Sequence, residues 1–232
     1  MRESMKNREM YNKLIRNLLK MDYIRSREIP NIDLYMDQVT TFMEEHLKSG
    51  KRYEQDKILT KTMINNYAKN HLLPAPEKKK YSKDHLLLLI FIYYFKSYLS
   101  INDIQTILNP ITESFFENEE GMGMEKIYEE VFSYEKRSMR ALIEDLNDSF
   151  HMAMSSFKDA PEEKQEYLQM FTFICILSFD VYLKKQMIET IIDEMRAESE
   201  REQQEEEAIK KESKKEAKKE AKKENKEAKK ET

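Results

Sequence analysis

A stretch of polar residues between positions 60 and 83 has the side-chain chemistry needed to bind double-stranded DNA. Asparagine amides hydrogen-bond the exposed edge of adenine, and lysines neutralise backbone phosphates. At helical spacing the outward positions of residues 60–69 are polar, and a cluster of lysines follows them. The residues that we predict to contact DNA are Thr60, Lys61, Thr62, Asn65, Asn66, Lys69, Lys78, Lys79, Lys80, Tyr81 and Lys83.

The neighbouring residues predict the elements that would hold this polar face in place. The hydroxyl of Thr60 is a suitable N-cap for a helix that runs through Ala68. Prolines at positions 74 and 76 prevent that helix from continuing, so residues 77–81 are predicted to form an exposed basic loop or ribbon. Ser82 then caps a strongly apolar helix over residues 86–99.

Three further helices are predicted around this segment. Residues 6–24 form a basic amphipathic helix, which either packs on the body or lies on a membrane, and packing is favoured. A helix over residues 34–47 is predicted to be capped by Asn31 or Asp33 and to end at Ser49-Gly50. Ser100 caps a short helix over residues 101–108, which Asn109-Pro110 ends.

The C-terminal half is predicted to be helical and then highly charged. A linker over 111–124 leads to a helix over 125–157, and Pro161 opens a long helix over 162–195. The apolar side chains of this last helix are too broadly distributed for one stripe, so we expect it to be covered on several sides, in part by a second copy of the chain. From residue 196 to 232, 25 of 37 residues are charged, which predicts a solvated helix or a disordered tail.

The composition excludes several classes of protein. Three glycines in 232 residues leave no phosphate-binding or nucleophile-elbow motif. The apolar runs 86–95 and 168–183 are shorter than the ~20 residues of a membrane-spanning helix, so both are interpreted as core helices. The single cysteine cannot form an internal disulfide, and residues 1–6 lack the apolar run of a secretion signal, so we expect a cytoplasmic protein. We also predict that it is not an enzyme, has no integral membrane span, and has no catalytic, metal or cofactor site.

Single residues with reactive side chains are given structural interpretations. The one cysteine, Cys175, is interpreted as a small buried hydrophobe. His46 and His151 are interpreted as surface or interface histidines, because a metal site needs more ligands. His85 is expected to pack against the basic ribbon.

Two resemblances to known families follow from longer motifs. The winged helix-turn-helix of MerR-type transcription regulators resembles the pattern Thr60-x-x-x-Ile64-Asn65-Asn66-Tyr67, Leu72-Leu73-Pro74, Lys80-Tyr81-Ser82-x-x-His85-Leu86 and its apolar continuation to Leu108. More narrowly, residues 34–39 (LYMDQV) and 59–67 (LTKTMINNY) are similar to the bacterial family called domain of unknown function 1836. This second resemblance extends over roughly residues 29–195.

The MerR-type resemblance implies roles for two segments. Residues 60–69 would be the recognition helix, and residues 77–81 would be the wing that touches phosphate. Two features depart from the pattern. MerR-type proteins usually carry arginine at the position of Asn65 and tyrosine at the position of Asn66, and the stretch between Leu47 and Thr60 exceeds the three or four residues of a tight helix-turn-helix connection.

The sequence therefore predicts an all-α protein of five segments. They are an N-terminal basic helix (1–28), a MerR-like DNA-binding module (29–110), a linker (111–124), a helical bundle for self-association or partner binding (125–195) and a charged low-complexity tail (196–232). The expected function is sequence-specific DNA binding by a transcription regulator that forms a homodimer through residues 125–195. The alternative is a protein-interaction module that uses a winged-helix-like fold without DNA, and weak membrane-surface association of the N-terminal helix or the tail stays open.

Overall fold

The structure, a computed structural model, describes residues 5–21, 23–118 and 121–228, with side chains described as far as residue 211. The described chain is mostly helical, which confirms the all-α prediction. Its helices are α1 (Met5–Leu18), α2 (Met36–Leu47), α3 (Lys61–Lys69), α4 (Lys83–Phe95), α5 (Ile101–Phe115), α6 (Met124–Ser133), α7 (Glu135–Met154) and α8 (Glu162–Ala228). Two short strands, β1 (Leu34–Tyr35) and β2 (Lys80–Tyr81), complete these elements, with 3-10 turns at Ser26–Glu28 and Lys48–Gly50.

Helix α4 is the centre of the first hydrophobic core. Every residue from Leu86 to Ile92 is buried, so the helix is covered on all its sides, as a helix that is apolar all round must be. Helices α5 and α6 pack on α4, and α2 and α3 pack on each other. The interpretation of the run 86–95 as a core helix is confirmed for these residues.

A two-stranded antiparallel ribbon connects the region before α2 with the region after α3. Leu34 pairs with Tyr81, and Tyr35 pairs with Lys80. Leu34 and Tyr81 face the core, while Tyr35 on the other side of the ribbon is exposed. Because β1 leads directly into α2 and β2 follows α3, the ribbon joins the two ends of the α2–α3 segment.

A second core joins α1 to α7 and the first part of α8. Its buried members are Tyr11, Leu146, Phe150, Ala153 and Phe173. The ring of Tyr11 stacks on that of Phe150 with 4.3 Å between centroids, and the Tyr11 hydroxyl donates a hydrogen bond of 2.6 Å to Oδ1 of Asn147. The basic amphipathic helix therefore packs on the body as favoured, although it ends at Leu18 and not at Ile24.

The predicted linker 111–124 does not separate two domains. Helix α5 continues through Pro110 to Phe115, and α6 packs back on α4 and α5. The hydroxyl of Tyr128 in α6 donates to the backbone carbonyl of Ile24, which ties this helix to the start of the module. The chain as far as Gln186 forms one compact unit, and a second unit begins at Met187.

Several predicted helix ends were wrong for local reasons. Proline removes one N–H and crowds one turn, but α5 recovers beyond it, and the Thr112 hydroxyl donates 2.8 Å to the Leu108 carbonyl. Helix α2 begins after Tyr35, because Asn31 and Asp33 precede the strand β1 and are too early to cap it. The helix start is instead bonded through Gln38, whose side chain accepts a hydrogen bond of 2.8 Å from the Tyr35 N–H. The predicted helix 125–157 is interrupted at Tyr134 and forms α6 and α7.

The long helix α8 is covered on fewer sides than predicted. Phe173 and Gln169 are buried, but Tyr167, Phe179 and Tyr182 are 73%, 67% and 55% exposed. Cys175 is also exposed, so its interpretation as a buried hydrophobe was wrong. By length and hydropathy the segment Glu162–Lys211 is the one described helix that could cross a membrane, which is weak evidence for a span. The helix also extends past the predicted end at 195, to Ala228.

Candidate nucleic-acid interface

Helix α3 presents a polar face to solvent. Lys61, Thr62, Asn65, Asn66 and Lys69 are all exposed, as their spacing predicts. The opposite face is anchored in the core by Ile64 and Tyr67, which are 0% and 6% exposed. The backbone N–H of Met63 donates to the Thr60 hydroxyl over 3.2 Å, so Thr60 is the N-cap that the sequence predicts.

Both ends of α3 are attached to the helices behind it. Before the helix, the ammonium group of Lys96 in α4 donates to the backbone carbonyl of Ile58. After it, the side-chain amide of Gln105 in α5 donates to the carbonyl of Asn70. Leu72 and Leu73 are then buried, at 1% and 2% exposed. The polar face is therefore held on a fixed support and is not part of a free loop.

A tight turn of charged residues, Glu77–Lys80, leads into β2 and forms one end of the ribbon, which we call its tip. The backbone N–H of Lys80 donates to the Glu77 carbonyl at 2.8 Å, and the two central residues, Lys78 and Lys79, have φ angles of 49° and 67°. Two successive positive φ values define the type I′ hairpin turn, for which Asn-Gly is the favoured sequence. A left-handed backbone conformation costs a residue with a side chain about 1–2 kcal/mol. The protein would therefore be more stable with asparagine and glycine at these two positions than with two lysines.

Positive charge is concentrated around α3 and the turn, although the whole chain has a net charge of −4. Between Lys57 and Lys80 the chain has six lysines and one acidic residue, Glu77. Lys78 forms an exposed ion pair with Glu77 at 3.4 Å, and Lys61 pairs with Asp37 of α2. Exposed pairs of this kind are worth little, so a phosphate can compete for these lysines.

Tyr35 belongs to this surface, although the sequence did not identify it. It is 54% exposed, and the ammonium group of Lys80 lies 5.5 Å from the centre of its ring. The signal was the alternation of the ribbon: Tyr35 pairs with Lys80 and therefore shares its side of the sheet.

Two predicted contact residues have other roles in the structure. Tyr81 is only 3% exposed and packs edge-on against His85, so its ring lies on the buried side of the ribbon and not on the exposed surface. The ammonium group of Lys83 forms a partly buried ion pair of 2.7 Å with Glu125. Strand alternation places Tyr81 inward, whereas the pairing of Lys83 depends on the distant helix α6.

His85 supports the ribbon from behind, as expected. It is 2% exposed, and its Nδ1 accepts a hydrogen bond of 3.0 Å from the backbone N–H of Ser82, the N-cap of α4. Burial lowers the pKa of His85, which Glu117 and the nearby Pro74 carbonyl partly oppose. The imidazole is therefore neutral near pH 7 and acts as a packing and capping group.

The connection between α2 and α3 is longer than a tight helix-turn-helix turn. It contains the 3-10 turn Lys48–Gly50, whose glycine lies against Tyr93 of α4; a Cβ atom on Gly50 would be 2.9 Å from the Tyr93 hydroxyl oxygen. Lys51 in the same segment forms an ion pair with Glu44 of α2. The longer connection is thus folded onto the helices it joins.

The family comparison matches the part of the chain that contains α2 to α5, the ribbon and most of α6. This part of the chain is an all-α domain with a two-stranded ribbon beside an exposed polar helix. Residues 24–131 match the family Domain of unknown function (DUF1836), which confirms the predicted resemblance for the matched residues. The match ends within α6 and does not reach residue 195, the predicted limit of the resemblance. Neither a curated protein nor a solved structure matches the chain.

The extent of the match follows the contacts within the domain. Ile24, its first residue, accepts a hydrogen bond from Tyr128, and Ser26 donates to a carboxylate oxygen of Glu129. The segment is therefore closed by contacts between its two ends. Across the described residues, no group of three or more His, Cys, Asp or Glu side chains is placed to hold a metal ion.

Proposed function

We propose that the chain is a sequence-specific DNA-binding transcription regulator in which α3 enters the major groove. The turn Glu77–Lys80 then lies on the phosphate backbone as a wing. The order β1, α2, α3, β2, α4 places two helices before a basic strand and a core helix, as the resemblance to a MerR-like winged helix-turn-helix implies, and this supports the proposal. No catalytic role is part of it.

The observation that carries this proposal is the pair of lysines at the tip of the turn. Residues held in unfavourable backbone conformations are retained mainly where function needs their side chains. Lys78 and Lys79 both have left-handed backbone, and the side chain of Lys78 is 86% exposed, so packing does not explain its presence. Two cations at the tip of a ribbon are suited to gripping phosphate.

The exposed face of α3 supplies the groups that read bases. Asn65 and Asn66 are adjacent and exposed, and an asparagine amide forms a pair of hydrogen bonds with adenine in the major groove. Thr62 lies one turn earlier on the same face and offers a hydroxyl and a methyl group. Lys61 and Lys69 stand near the two ends of the helix, where a helix in the groove passes the phosphates.

Fluorescence anisotropy with a labelled 30-base-pair duplex of mixed sequence, at low salt, tests the proposal. Thr62→Glu/Asn65→Glu places two negative charges on the exposed face of α3 without touching its buried side. We expect this variant to bind at least ~10-fold more weakly, a loss of about 1.4 kcal/mol, because the two negative charges repel the phosphates on either side of the groove.

A matched control carries the same two charges at the same spacing on another helix. Ser138→Glu/Ala141→Glu changes two exposed positions of α7 and should bind like the unchanged chain. If the unchanged chain does not bind duplex DNA at low salt, or if the two double variants bind equally, the proposal is wrong. A protein-interaction module without DNA binding would then take its place.

A further inference from the structure

The exposed face of α8 carries an apolar stripe, which we define as Tyr167, Phe171, Ile174, Cys175, Phe179 and Tyr182. The first three of these are 73%, 51% and 55% exposed, and Phe179 and Tyr182 are 67% and 55% exposed. Their spacing of three, four and seven residues places them on one side of the helix. Val181 and Leu183 beside the stripe are exposed as well, and the polar residues Lys185 and Gln186 follow on the side of the stripe.

The stripe is not part of the hydrophobic core that α8 forms with α1 and α7. The other side of the same turns is already packed on α1 and α7 through Phe173, and the side-chain amide of Gln169 donates 2.8 Å to the Met154 carbonyl. The helix is therefore anchored along one side while its opposite side meets solvent. An exposed apolar face of this kind is typical of a surface that another molecule covers.

The size of the stripe fits an interface between two proteins. Aromatic side chains bury about 150–250 Å² each, so the exposed parts of its large side chains amount to roughly 600 Å². That is the upper limit for the largest apolar patch on an ordinary monomer, about 300–600 Å². Two such stripes facing each other would bury about 1,200 Å², which is within the range of specific interfaces.

The charges at the two ends of the stripe indicate which partner fits. Its N-terminal end is flanked by Glu162, Glu163 and Glu166, with Lys164 among them. Its C-terminal end has Lys184, which pairs with Asp180, and Lys185. In an antiparallel pair of identical helices the two acidic ends lie apart, whereas a parallel pair would place them side by side. Charge therefore favours the antiparallel orientation.

We propose that a second copy of this chain covers the stripe, with the two α8 helices antiparallel and the two-fold axis beside Cys175. An isologous interface is self-complementary about its axis, and overlap is greatest when the axis passes through the midpoint of the stripe. The midpoint of 167 and 182 lies next to residue 175. Phe171 of one copy then contacts Phe179 of the second copy, and the two Cys175 thiols face each other.

A membrane is a less suitable occupant. A spanning helix must be apolar on every lipid-facing side over about 20 residues. Here one side of the apolar segment is packed on two polar-faced helices, and an ion pair of 2.7 Å between Asp180 and Lys184 lies within it. These contacts favour a protein surface over lipid. The inference is independent of DNA binding.

Cysteine cross-linking of the full chain tests both the partner and the orientation. Cys175 is the one cysteine in the sequence, so a disulfide after treatment with copper phenanthroline joins two chains through this residue. The reaction oxidises two thiols and reduces the added oxidant. We expect most of the chain to become a covalent dimer at micromolar concentration. Cys175→Ser should abolish this product but keep the dimer in analytical ultracentrifugation.

A moved cysteine separates the two orientations. In Cys175→Ser/Tyr167→Cys the new thiol is eight residues from the axis, or about 12 Å along each helix. In the antiparallel pair the two thiols are about 24 Å apart, so this variant alone should not cross-link. A parallel pair would cross-link at 167 as well as at 175, and that result would overturn the proposed orientation.

Charge substitutions test the stripe itself. Phe171→Glu/Phe179→Glu should be monomeric in analytical ultracentrifugation with unchanged helical circular dichroism, whereas Ile32→Glu, at a position 68% exposed in another part of the chain, should stay dimeric. A monomeric unchanged chain overturns the proposal. Flotation of that monomer with vesicles of anionic phospholipid would identify lipid as the occupant instead.

Discussion

We predict that substitutions in the turn at the tip of the ribbon change stability and DNA binding in opposite directions. Lys78→Asn/Lys79→Gly installs the sequence that a type I′ turn prefers. Both lysines have left-handed backbone, and no core contact is lost because the turn is exposed. We therefore expect the free energy of unfolding to rise by about 1–2 kcal/mol.

The same change removes two cations from the predicted phosphate contact. Each phosphate contact contributes about 0.9 to the slope of log affinity against log salt concentration, so the slope should fall by roughly 2. Affinity at low salt should fall together with it. Stability is measured by urea unfolding, and binding by fluorescence anisotropy at several salt concentrations.

A charge-only control separates the two effects. Lys78→Gln/Lys79→Gln removes the same charges but keeps side chains on the left-handed backbone, so it should weaken binding without a gain in stability. If Lys78→Asn/Lys79→Gly is no more stable than the unchanged chain, the lysines are not strained as the structure indicates. An unchanged salt slope would refute the contact between the turn and phosphate.

Three further predictions concern the support of the site. Thr60→Ala should lower the free energy of unfolding, measured in urea, by about 1 kcal/mol because α3 loses its cap. Thr60→Ser keeps the hydroxyl and should not lower it. Equal values for the two variants would argue against the cap. Gly50→Ala should lower the melting temperature because the new Cβ atom meets the Tyr93 hydroxyl. Gly50→Ala/Tyr93→Phe removes that hydroxyl and should recover most of the loss. No recovery would show that the contact with Tyr93 is not the cause. The pKa of buried His85 is lowered, so the unfolded chain takes up a proton that the folded chain resists, and the free energy of unfolding should fall below about pH 6.5 by up to about 1.4 kcal/mol per pH unit. Urea unfolding of the unchanged chain and of His85→Asn between pH 5.5 and 7.5 should show this fall only in the unchanged chain. Burial raises the pKa of Asp84, which acts on stability with the opposite sign but is present in both proteins, so the comparison removes its contribution. A parallel fall in both proteins would assign the effect to other groups.

The local part of the site could be predicted from the sequence because local chemistry determines it. Thr60 and Ser100 cap the helices that follow them, as their hydroxyls and positions predict. The polar positions of α3 are exposed because Ile64 and Tyr67 turn the opposite face inward. The basic turn follows from the prolines that end the preceding segment.

Features that depend on distant contacts could not be predicted in this way. Tyr81 is buried because its strand pairs with Leu34, and Lys83 is paired because α6 brings Glu125 to it. Apolar periodicity shows that a helix surface avoids water, but it does not show what covers that surface. For this reason the side of α8 that contains Cys175 was assigned to the core and is exposed in the structure.

Recovery of bound fragments from sheared genomic DNA of the source organism, followed by sequencing, tests the central claim most directly. The account predicts that the full chain enriches a recurring short motif, and that Thr62→Glu/Asn65→Glu loses it while Ser138→Glu/Ala141→Glu keeps it. Recovery of no enriched motif, or of the same motif by all three proteins, would contradict the assignment of α3 as the helix that reads DNA.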